Sequence, residues 1–389
     1  MLLIQSYIVY TLFAVLMYSA AKSVTVSQSL AMQHPHHWFS LPSGYWWCIL
    51  IFAIVSGIRW DVGVDHLSYL DNYVDALKGI EWQRERGIEE GYALITNYFA
   101  ALGIHPTIYF AFLAFLQIFF FMLAFRTERS AIPFMMLCIV LGNPYTIWMN
   151  GIRQMIAACM FVYASTFLKD RRWLPYILII AIAYYFHHSA LILIPVYCIV
   201  FDKRVWDEKW LCLIIVIVCF VFGNMPTWIS IMERFGSILS FIGYDYYSEQ
   251  LEELVSGEMR GYNFGPRKMI VFISYLITIY MYPTTRQFFT NSNIDIIYKL
   301  FFIGVCLFYL FDNTLVIFRR PVRYFDIFAI PMFGYTLSYL KNSKKQLWFY
   351  LLLICCIAFI YLQCYADACA PEIDRRSSLY QFYFGNAKF

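Results

Sequence analysis

The sequence has few charged residues, and this scarcity decides its broad class. Asp, Glu, Lys and Arg make up 14% of its 389 residues, whereas a soluble domain carries about 25%. Apolar residues make up 61%, and the mean hydropathy is +0.60. Because so little polar surface cannot cover a water-soluble core, these numbers exclude a soluble globular domain. We therefore expect an integral membrane protein.

Other absences narrow the function. The net charge of +4 is spread along the chain without a basic block, so we predict no nucleic-acid partner. The eleven cysteines contain no CxxC pair and no metal-ligand spacing. The three histidines of HPHHW at 34–38 lack a partner cluster, and zinc ligands usually come from more than one segment. We predict no metal and no cofactor.

Long apolar runs are abundant instead, and a helix needs about 20 apolar residues to cross a bilayer. The first run, MLLIQSYIVYTLFAVLMYSA, has no basic segment before it, so we expect a retained span and not a signal peptide. The runs predict about 12 transmembrane helices. They lie at 2–20, 43–58, 107–125, 131–149, 152–168, 173–187, 188–201, 210–223, 268–283, 295–311, 322–340 and 346–364.

The predicted fold is an all-α polytopic bundle, with residues 1–389 forming a single transmembrane domain. Two long loops, 59–106 and 224–267, separate the spans. Within them, 92–104 is too short to span and is predicted to be an in-plane or re-entrant helix. The segment TWISIMERFGSILSFI predicts an amphipathic helix on the membrane surface. The Tyr- and Glu-rich stretch after it fits a sugar-binding lid and a solvated linker equally well.

Basic residues orient the bundle, because cytoplasmic loops collect Lys and Arg. With the spans above, most basic residues fall on one side: Lys22, Arg126, Arg129, Lys169, Arg171, Arg172, Lys203, Arg204, Lys209, Arg286, Lys341, Lys344 and Lys345. This pattern places both termini outside. It also leaves the loops 59–106 and 224–267 on the outer face, together with the junctions near 150, 187 and 312–323.

Four outer-face segments carry polar residues that the positive-inside rule does not explain. Arg59 and Asp65 follow one span; Arg153 and Gln154 start another; His187 and His188 lie between two. Arg319, Arg320 and Arg323 crowd a junction with Tyr324. An interfacial arginine that caps a helix and reaches the headgroups explains Arg59 or Arg153 nearly as well, and a single interfacial histidine is often without function. Together, however, the guanidinium groups favour a site for a diphosphate whose lipid tail lies in the bilayer.

These residues resemble a known family. The pattern R-x-x-x-G-x-D-x-x-x-Y contains Arg59, Gly63, Asp65 and Tyr69; E-G-Y contains Glu90; I-R-Q contains Arg153 and Gln154; and F-H-x-S-A-L contains His187. In order and spacing, residues 45–200 are similar to the EpsG-like branch of Wzy-type polysaccharide polymerases. Arg320 and Tyr324 resemble the family's later R-x-x-x-Y motif. The sequence departs at His188, where the family usually has a different polar residue, and Arg323 is not part of the pattern.

The resemblance implies a reaction and its partners. Such proteins join oligosaccharide units carried on undecaprenyl diphosphate at the outer face of the bacterial cytoplasmic membrane, for O-antigen, capsule or exopolysaccharide. Their bundles resemble the GT-C glycosyltransferases. The sequence leaves open whether a chain-length regulator also binds. The implied catalytic residues are His187, Arg153, Arg320 and Asp65, with His187 or Asp65 as the base. Substrate contacts would come from Arg59, Gln154, Arg319, Arg323, Tyr324, Tyr69, Glu90 and His188.

Two other functions fit the same residues. A flippase for the lipid-linked unit would also need arginines, although along a path across the membrane. An O-antigen ligase would act on the same lipid diphosphate with a different acceptor. The gathering of the non-cytoplasmic arginines at one face favours an enzyme over a flippase.

Overall fold

A computed structural model describes residues 1–25, 28, 40–80, 88–142, 144–200, 207–241, 265–290, 292–314, 316–370 and 378–386. These residues are mostly helical, with almost no sheet, as the apolar runs predict. The HPHHW histidines lie outside the described residues. So does the Tyr- and Glu-rich stretch at 243–265, apart from Gly265.

The helices of the first half follow the apolar runs, with a short helix at each polar loop. Several begin at a proline, whose fixed φ suits the first helical position. In chain order they are α1 (Leu2–Lys22), α2 (Ser43–Gly57), α3 (His66–Leu77), α4 (Glu90–Ala101), α5 (Pro106–Ala124), α6 (Ile132–Leu141), α7 (Pro144–Asn150), α8 (Ile152–Ser165) and α9 (Trp173–Phe186).

The second half opens with a 3-10 helix, His188–Leu193, that follows α9 directly. The α-helices after it are α10 (Val196–Ile199), α11 (Lys209–Gly223), α12 (Pro226–Phe241), α13 (Pro266–Phe288), α14 (Ile294–Phe311), α15 (Val316–Asp326), α16 (Ala329–Asn342), α17 (Gln346–Cys369) and α18 (Tyr383–Asn386).

Helix α8 is the centre of the bundle. Every residue from Gln154 to Ser165 is buried, and the helix packs against α5 on one side and α9 on the other. The small pair Ala157 and Ala158 lets its neighbours approach closely, as is common between membrane helices. The first turn of this buried helix carries Arg153, so the fold fixes that side chain at one end of the core.

The number of spans differs from the sequence prediction. Among the described residues, four helices are long and apolar enough to cross a membrane, or six when two bent helix pairs each count as one span. The predicted total of about 12 is not confirmed. Several apolar runs form helices of 14 or 15 residues, and the run at 131–149 bends by 65° between α6 and α7. Hydropathy counts apolar residues and does not register such bends.

The arginine-rich junction is also more structured than expected. The sequence predicts one span over 322–340, but the structure has two helices there, with α15 ending at Asp326 and α16 beginning at Ala329. Arg319, Arg320 and Arg323 therefore lie on a separate helix of 11 residues. Helix α15 packs mainly on the end of α14 and also contacts α8, so it brings the arginines towards Arg153.

The amphipathic segment forms the helix that the sequence predicts. Helix α12 covers Pro226–Phe241 and turns away from α11 by 74°. Ile231 and Phe235 on it are exposed, while the indole of Trp228 donates to the carbonyl oxygen of Leu310 at 2.7 Å. Whether α12 lies on a membrane stays a prediction.

A two-stranded antiparallel ribbon joins the end of the chain to the first polar loop. Strand β1 (Arg59–Trp60) pairs with β2 (Gln381–Phe382). The hydroxyl of Tyr380 donates to the carbonyl oxygen of Val55, and that of Tyr10 donates to Ser378. The ribbon thus fixes the backbone at the start of the loop that carries Asp65.

Candidate functional site

Glu89 joins two of the residues that the sequence singles out. One of its carboxylate oxygens accepts from the guanidinium of Arg153, and the other accepts from Nδ1 of His187 at 2.5 Å. Its side chain is 6% exposed, against 16% for His187 and 27% for Arg153. We call these three residues the carboxylate cluster. A buried carboxylate with a donor on each oxygen fixes the orientation of both partners.

The electrostatics keep Glu89 ionised. Burial on its own would raise the pKa of this carboxyl, but the hydrogen bond from His187 and the charge of Arg153 outweigh burial. The pKa is lowered from its ordinary 4.5 to about 2. An anionic acceptor on Nδ1 holds the imidazole with its other nitrogen, Nε2, available to exchange a proton.

Local backbone geometry brings the cluster together. His187 ends α9 in an extended conformation, with φ −160°, and Glu89 precedes the first residue of α4. Gly91 allows these two ends to touch, because a Cβ there would lie 2.7 Å from the carbonyl oxygen of Tyr185. Only glycine fits this contact without moving the two helices apart.

Two tyrosines surround the guanidinium of Arg153. The Tyr69 side chain lies within its electrostatic field, and its Cζ lies 5.7 Å from the centre of the Tyr92 ring. The Tyr69 and Tyr92 rings meet edge to face at 5.7 Å. The Tyr92 ring supports the orientation of the Arg153 guanidinium through cation–π attraction.

Glu90 and His188 lie outside this arrangement. Their side chains are 71% and 49% exposed, and His188 Nε2 lies 3.5 Å from the Glu90 carboxylate. The His188 ring contacts the Tyr184 ring at a tilt of 32°, with centroids 4.7 Å apart. An exposed pair of this kind contributes little energy. Of the two adjacent glutamates, Glu89 and not Glu90 bonds to the predicted site residue Arg153. Of the two adjacent histidines, His187 and not His188 bonds to Glu89.

The loop that carries Asp65 packs on the start of the central helix. Gly63 has φ +92°, and a Cβ there would lie 2.8 Å from the carbonyl oxygen of Met149. The close approach lets the amide of Asp65 donate to the side-chain oxygen of Asn150 at 3.0 Å. The Asp65 carboxylate lies within the fields of Arg323, Arg320 and Arg153, which lower its pKa, although desolvation outweighs them and leaves it raised.

The arginines of α15 line a cavity of about 860 Å³. Arg319, Arg320 and Arg323 form part of its wall, and the pKa of Arg323 is lowered by burial and by the charges of the other two. Another part of the wall is apolar, with Cys138, Ile330, Phe333, Cys355 and Cys356 from α6, α16 and α17. The cavity therefore combines crowded positive charge with an apolar interior.

Two hydrogen bonds join α15 to residues that lie close in the chain to the carboxylate cluster. The amide of Gln154 donates to the backbone oxygen of Arg320 at 2.6 Å, and the hydroxyls of Ser189 and Tyr324 lie 3.0 Å apart. Gln154 and Tyr324 thus hold helices in place. Their side chains are buried, at 4% and 0% exposed, and Tyr324 does not line the cavity.

Arg59 lies apart from the other arginines. It is 1% exposed, and it donates to the carbonyl oxygens of Ser56 and Val62 while its Cζ lies 5.3 Å from the Phe110 ring. These contacts cap the end of α2 and fasten the loop after it. The geometry of Arg59 is that of a helix-end arginine.

Glu89 and Asn150 belong to the site although no sequence pattern singles them out. Glu89 stands directly before Glu90, and only the helix start distinguishes them, since the residue before a helix can turn inwards while the next one faces out. Asn150 forms part of the MNGIR junction, where an Asn-Gly pair is typical of a break between two helices. Within the described residues, no group of three His, Cys, Asp or Glu side chains is placed to hold a metal ion.

Comparison with known proteins identifies the family. No curated protein and no solved structure matches the chain. The model of the EpsG family matches residues 45–374, which extends the predicted similarity at 45–200 through α15 to the end of α17. The matched region contains the carboxylate cluster, the arginines of α15 and all but one of the residues that line the cavity. The chain is a helical membrane protein that belongs to the EpsG family, with a role related to polysaccharide polymerisation.

Proposed function

We propose that the chain is a polymerase that moves a growing glycan from undecaprenyl diphosphate to the next undecaprenyl-diphosphate-linked repeat unit. The observation that carries this proposal is the pairing of three cavity arginines with a deep apolar wall. A lipid diphosphate needs both a cationic and an apolar surface. The carboxylate cluster does not line this cavity, but Gln154, next to Arg153 in the chain, donates to the backbone oxygen of the cavity residue Arg320, and His187 supplies a group that can exchange a proton.

In the proposed reaction, the bond between the sugar C1 and the phosphate oxygen breaks, and a bond between C1 and an acceptor hydroxyl oxygen forms. Negative charge develops on the leaving undecaprenyl diphosphate. Arg320 and Arg323, with Arg319 beside them, stabilise it, because fixed cations in a poorly solvated cavity act strongly on developing charge. Burial and the charges of Arg319 and Arg320 lower the pKa of Arg323, and a bound anion would offset those charges.

The acceptor hydroxyl loses a proton, and His187 is the proposed group that takes it. Glu89 occupies Nδ1 of His187, so Nε2 is the nitrogen that accepts. Arg153 shares the same carboxylate and holds the second phosphate or the sugar beside it. Asp65 is the alternative base, since it lies in the field of the same arginines.

We place the reaction at the outer face of the bacterial cytoplasmic membrane, since the positive-inside pattern puts the basic loops opposite this site. A GT-C-like arrangement fits helices that carry the site at their ends, and the donor, the acceptor and the surrounding lipid are the proposed partners. Arginines stabilise a diphosphate leaving group without a required cofactor.

The test is the size distribution of surface polysaccharide in a strain that lacks this chain, run on a gel beside the parent. A polymerase predicts loss of the ladder while single repeat units remain attached, since export and attachment still work. Loss of the single unit as well would contradict the proposal and favour a flippase or a ligase. Complementation with the Arg320→Gln variant should fail to restore the ladder.

A further inference from the structure

The cavity has a second polar wall that the proposed reaction leaves unused. It lies where α13 begins, where α14 and α17 end and where the C-terminal segment returns. Lys268 Nζ lies 2.6 Å from the Asp312 carboxylate and donates to the Asn313 side-chain oxygen at 3.2 Å. Arg267 donates to the side-chain oxygen of Gln363. We call this surface the balanced wall.

The hydrogen bonds continue across the wall. The Gln363 amide donates to one oxygen of Asp367 at 2.8 Å, and the backbone amide of Ser378 donates to the other at 3.1 Å. Arg267, Gln363 and Asp367 all line the cavity. The network therefore presents planar amide, carboxylate and guanidinium groups to the cavity from a rigid frame.

Among the described residues that line the cavity, the charges of this wall cancel. Arg267 and Lys268 are matched by Asp312 and Asp367, whereas Arg319, Arg320 and Arg323 on α15 have Asp326 as their one acidic neighbour in the described lining. A diphosphate will prefer the three arginines, because there it meets net positive charge. The balanced wall is suited to a neutral ligand with many hydroxyl groups.

The chemistry of the side chains fits sugar hydroxyls. A lysine has three N–H donors and an arginine has five, which is more than the contacts above use. The ring of Tyr365, which is 57% exposed, and that of Phe311 also line the cavity. Aromatic faces beside amide and carboxylate groups can hold the apolar face and the hydroxyl edge of one sugar ring.

We propose that the balanced wall is the binding subsite for an uncharged sugar of the lipid-linked unit, with Gln363 and Tyr365 as residues that determine its recognition. This inference rests on the proposed function. It divides the cavity between the arginines of α15, which take the diphosphate, and the ends of α13 and α17, which take the sugar.

The experiment compares two probes on the full chain in lipid nanodiscs. The first is undecaprenyl diphosphate, and the second is the undecaprenyl-diphosphate-linked repeat unit extracted from cells lacking this chain. Binding is followed by tryptophan fluorescence, since Trp148 lines the cavity. The variants are Gln363→Ala and Tyr365→Leu, and the second removes an exposed ring that the fold does not need. Gln346→Ala at the other end of α17 is the matched control.

We expect both variants to weaken binding of the sugar-bearing lipid about 10-fold. This change corresponds to the loss of one or two hydrogen bonds in Gln363→Ala and of a stacked ring in Tyr365→Leu. Binding of undecaprenyl diphosphate should be unchanged, and the control should match the parent chain for both probes. If the variants weaken the binding of both probes equally, or of neither probe, the proposal of a sugar subsite is wrong while the proposed function stands. If the parent chain binds neither probe, the proposed function is wrong and the subsite falls with it.

Discussion

The substitution Glu89→Gln tests the arrangement most sharply, because it keeps the size of the side chain and removes only its charge. Each oxygen of Glu89 accepts from a different donor. A glutamine must turn its NH₂ group towards Arg153 or His187, so one donor then faces another donor. We expect the His187 ring to lose its fixed orientation.

The pKa of Glu89 gives the size of the effect. A lowering from 4.5 to about 2 corresponds to about 3 kcal/mol in favour of the ionised form, at about 1.4 kcal/mol for each tenfold change. If the proton transfer depends on this energy, the turnover rate should fall about 100-fold. Loss of a positioned acid or base typically costs a factor of this order.

The assay is the rate of polymer formation by the purified chain in nanodiscs supplied with the lipid-linked repeat unit. Glu90→Gln is the matched control, since that neighbouring glutamate is exposed and its partner His188 is exposed too. The control should retain the parent rate. Equal rates for Glu89→Gln and Glu90→Gln would refute the role that we give to the carboxylate cluster.

Three further predictions follow from the same residues. Arg153→Lys keeps the charge but loses the planar fork, so we expect roughly 10-fold to 100-fold less polymer, and polymer of normal chain length and amount would contradict the role of Arg153. Gly91→Ala should lower the rate in the same direction as Glu89→Gln, because the added Cβ separates α4 from the backbone of Tyr185; a parent-like rate would show that this contact is not needed. Because the pKa of Glu89 is depressed, the stability it contributes is present above pH 4.5 and lost as the pH falls towards 2. The melting temperature of the parent chain should therefore fall across that range more steeply than that of Glu89→Gln, and parallel curves would argue against a buried ionised Glu89.

The sequence predicted the class of fold and the family, because both depend on features that are read along the chain. Apolar runs predict helices, and several short motifs in the same order, such as I-R-Q, together indicate the family. The structure brings together His187 with Arg153, through Glu89, and Arg320 with Gln154. All four are candidate site residues in the sequence, because they lie at the ends of predicted spans on the face opposite the basic loops.

The sequence could not show which of two adjacent residues turns inwards. Glu89 and Glu90 differ only in their position at the start of α4, where Glu89 precedes the helix and Glu90 is its first residue. The close packing of Gly91 on Tyr185 determines which of the two side chains points inwards. The bend between α6 and α7 lies between Gly142 and Pro144, a local break that averaged hydropathy does not register, and hydropathy likewise does not show the division of the 322–340 run into α15 and α16. The balanced wall joins residues about 100 positions apart, which no local pattern reveals.

The most direct test of the central claim is polymerisation by the purified chain alone, in nanodiscs that contain only the undecaprenyl-diphosphate-linked repeat unit. The account predicts a ladder of products that differ by one repeat unit and the release of undecaprenyl diphosphate in step with each added unit. It also predicts that His187→Ala and Arg320→Gln abolish both. If the parent chain yields no ladder and releases no undecaprenyl diphosphate, or if it only moves the intact unit across a bilayer, the account is contradicted.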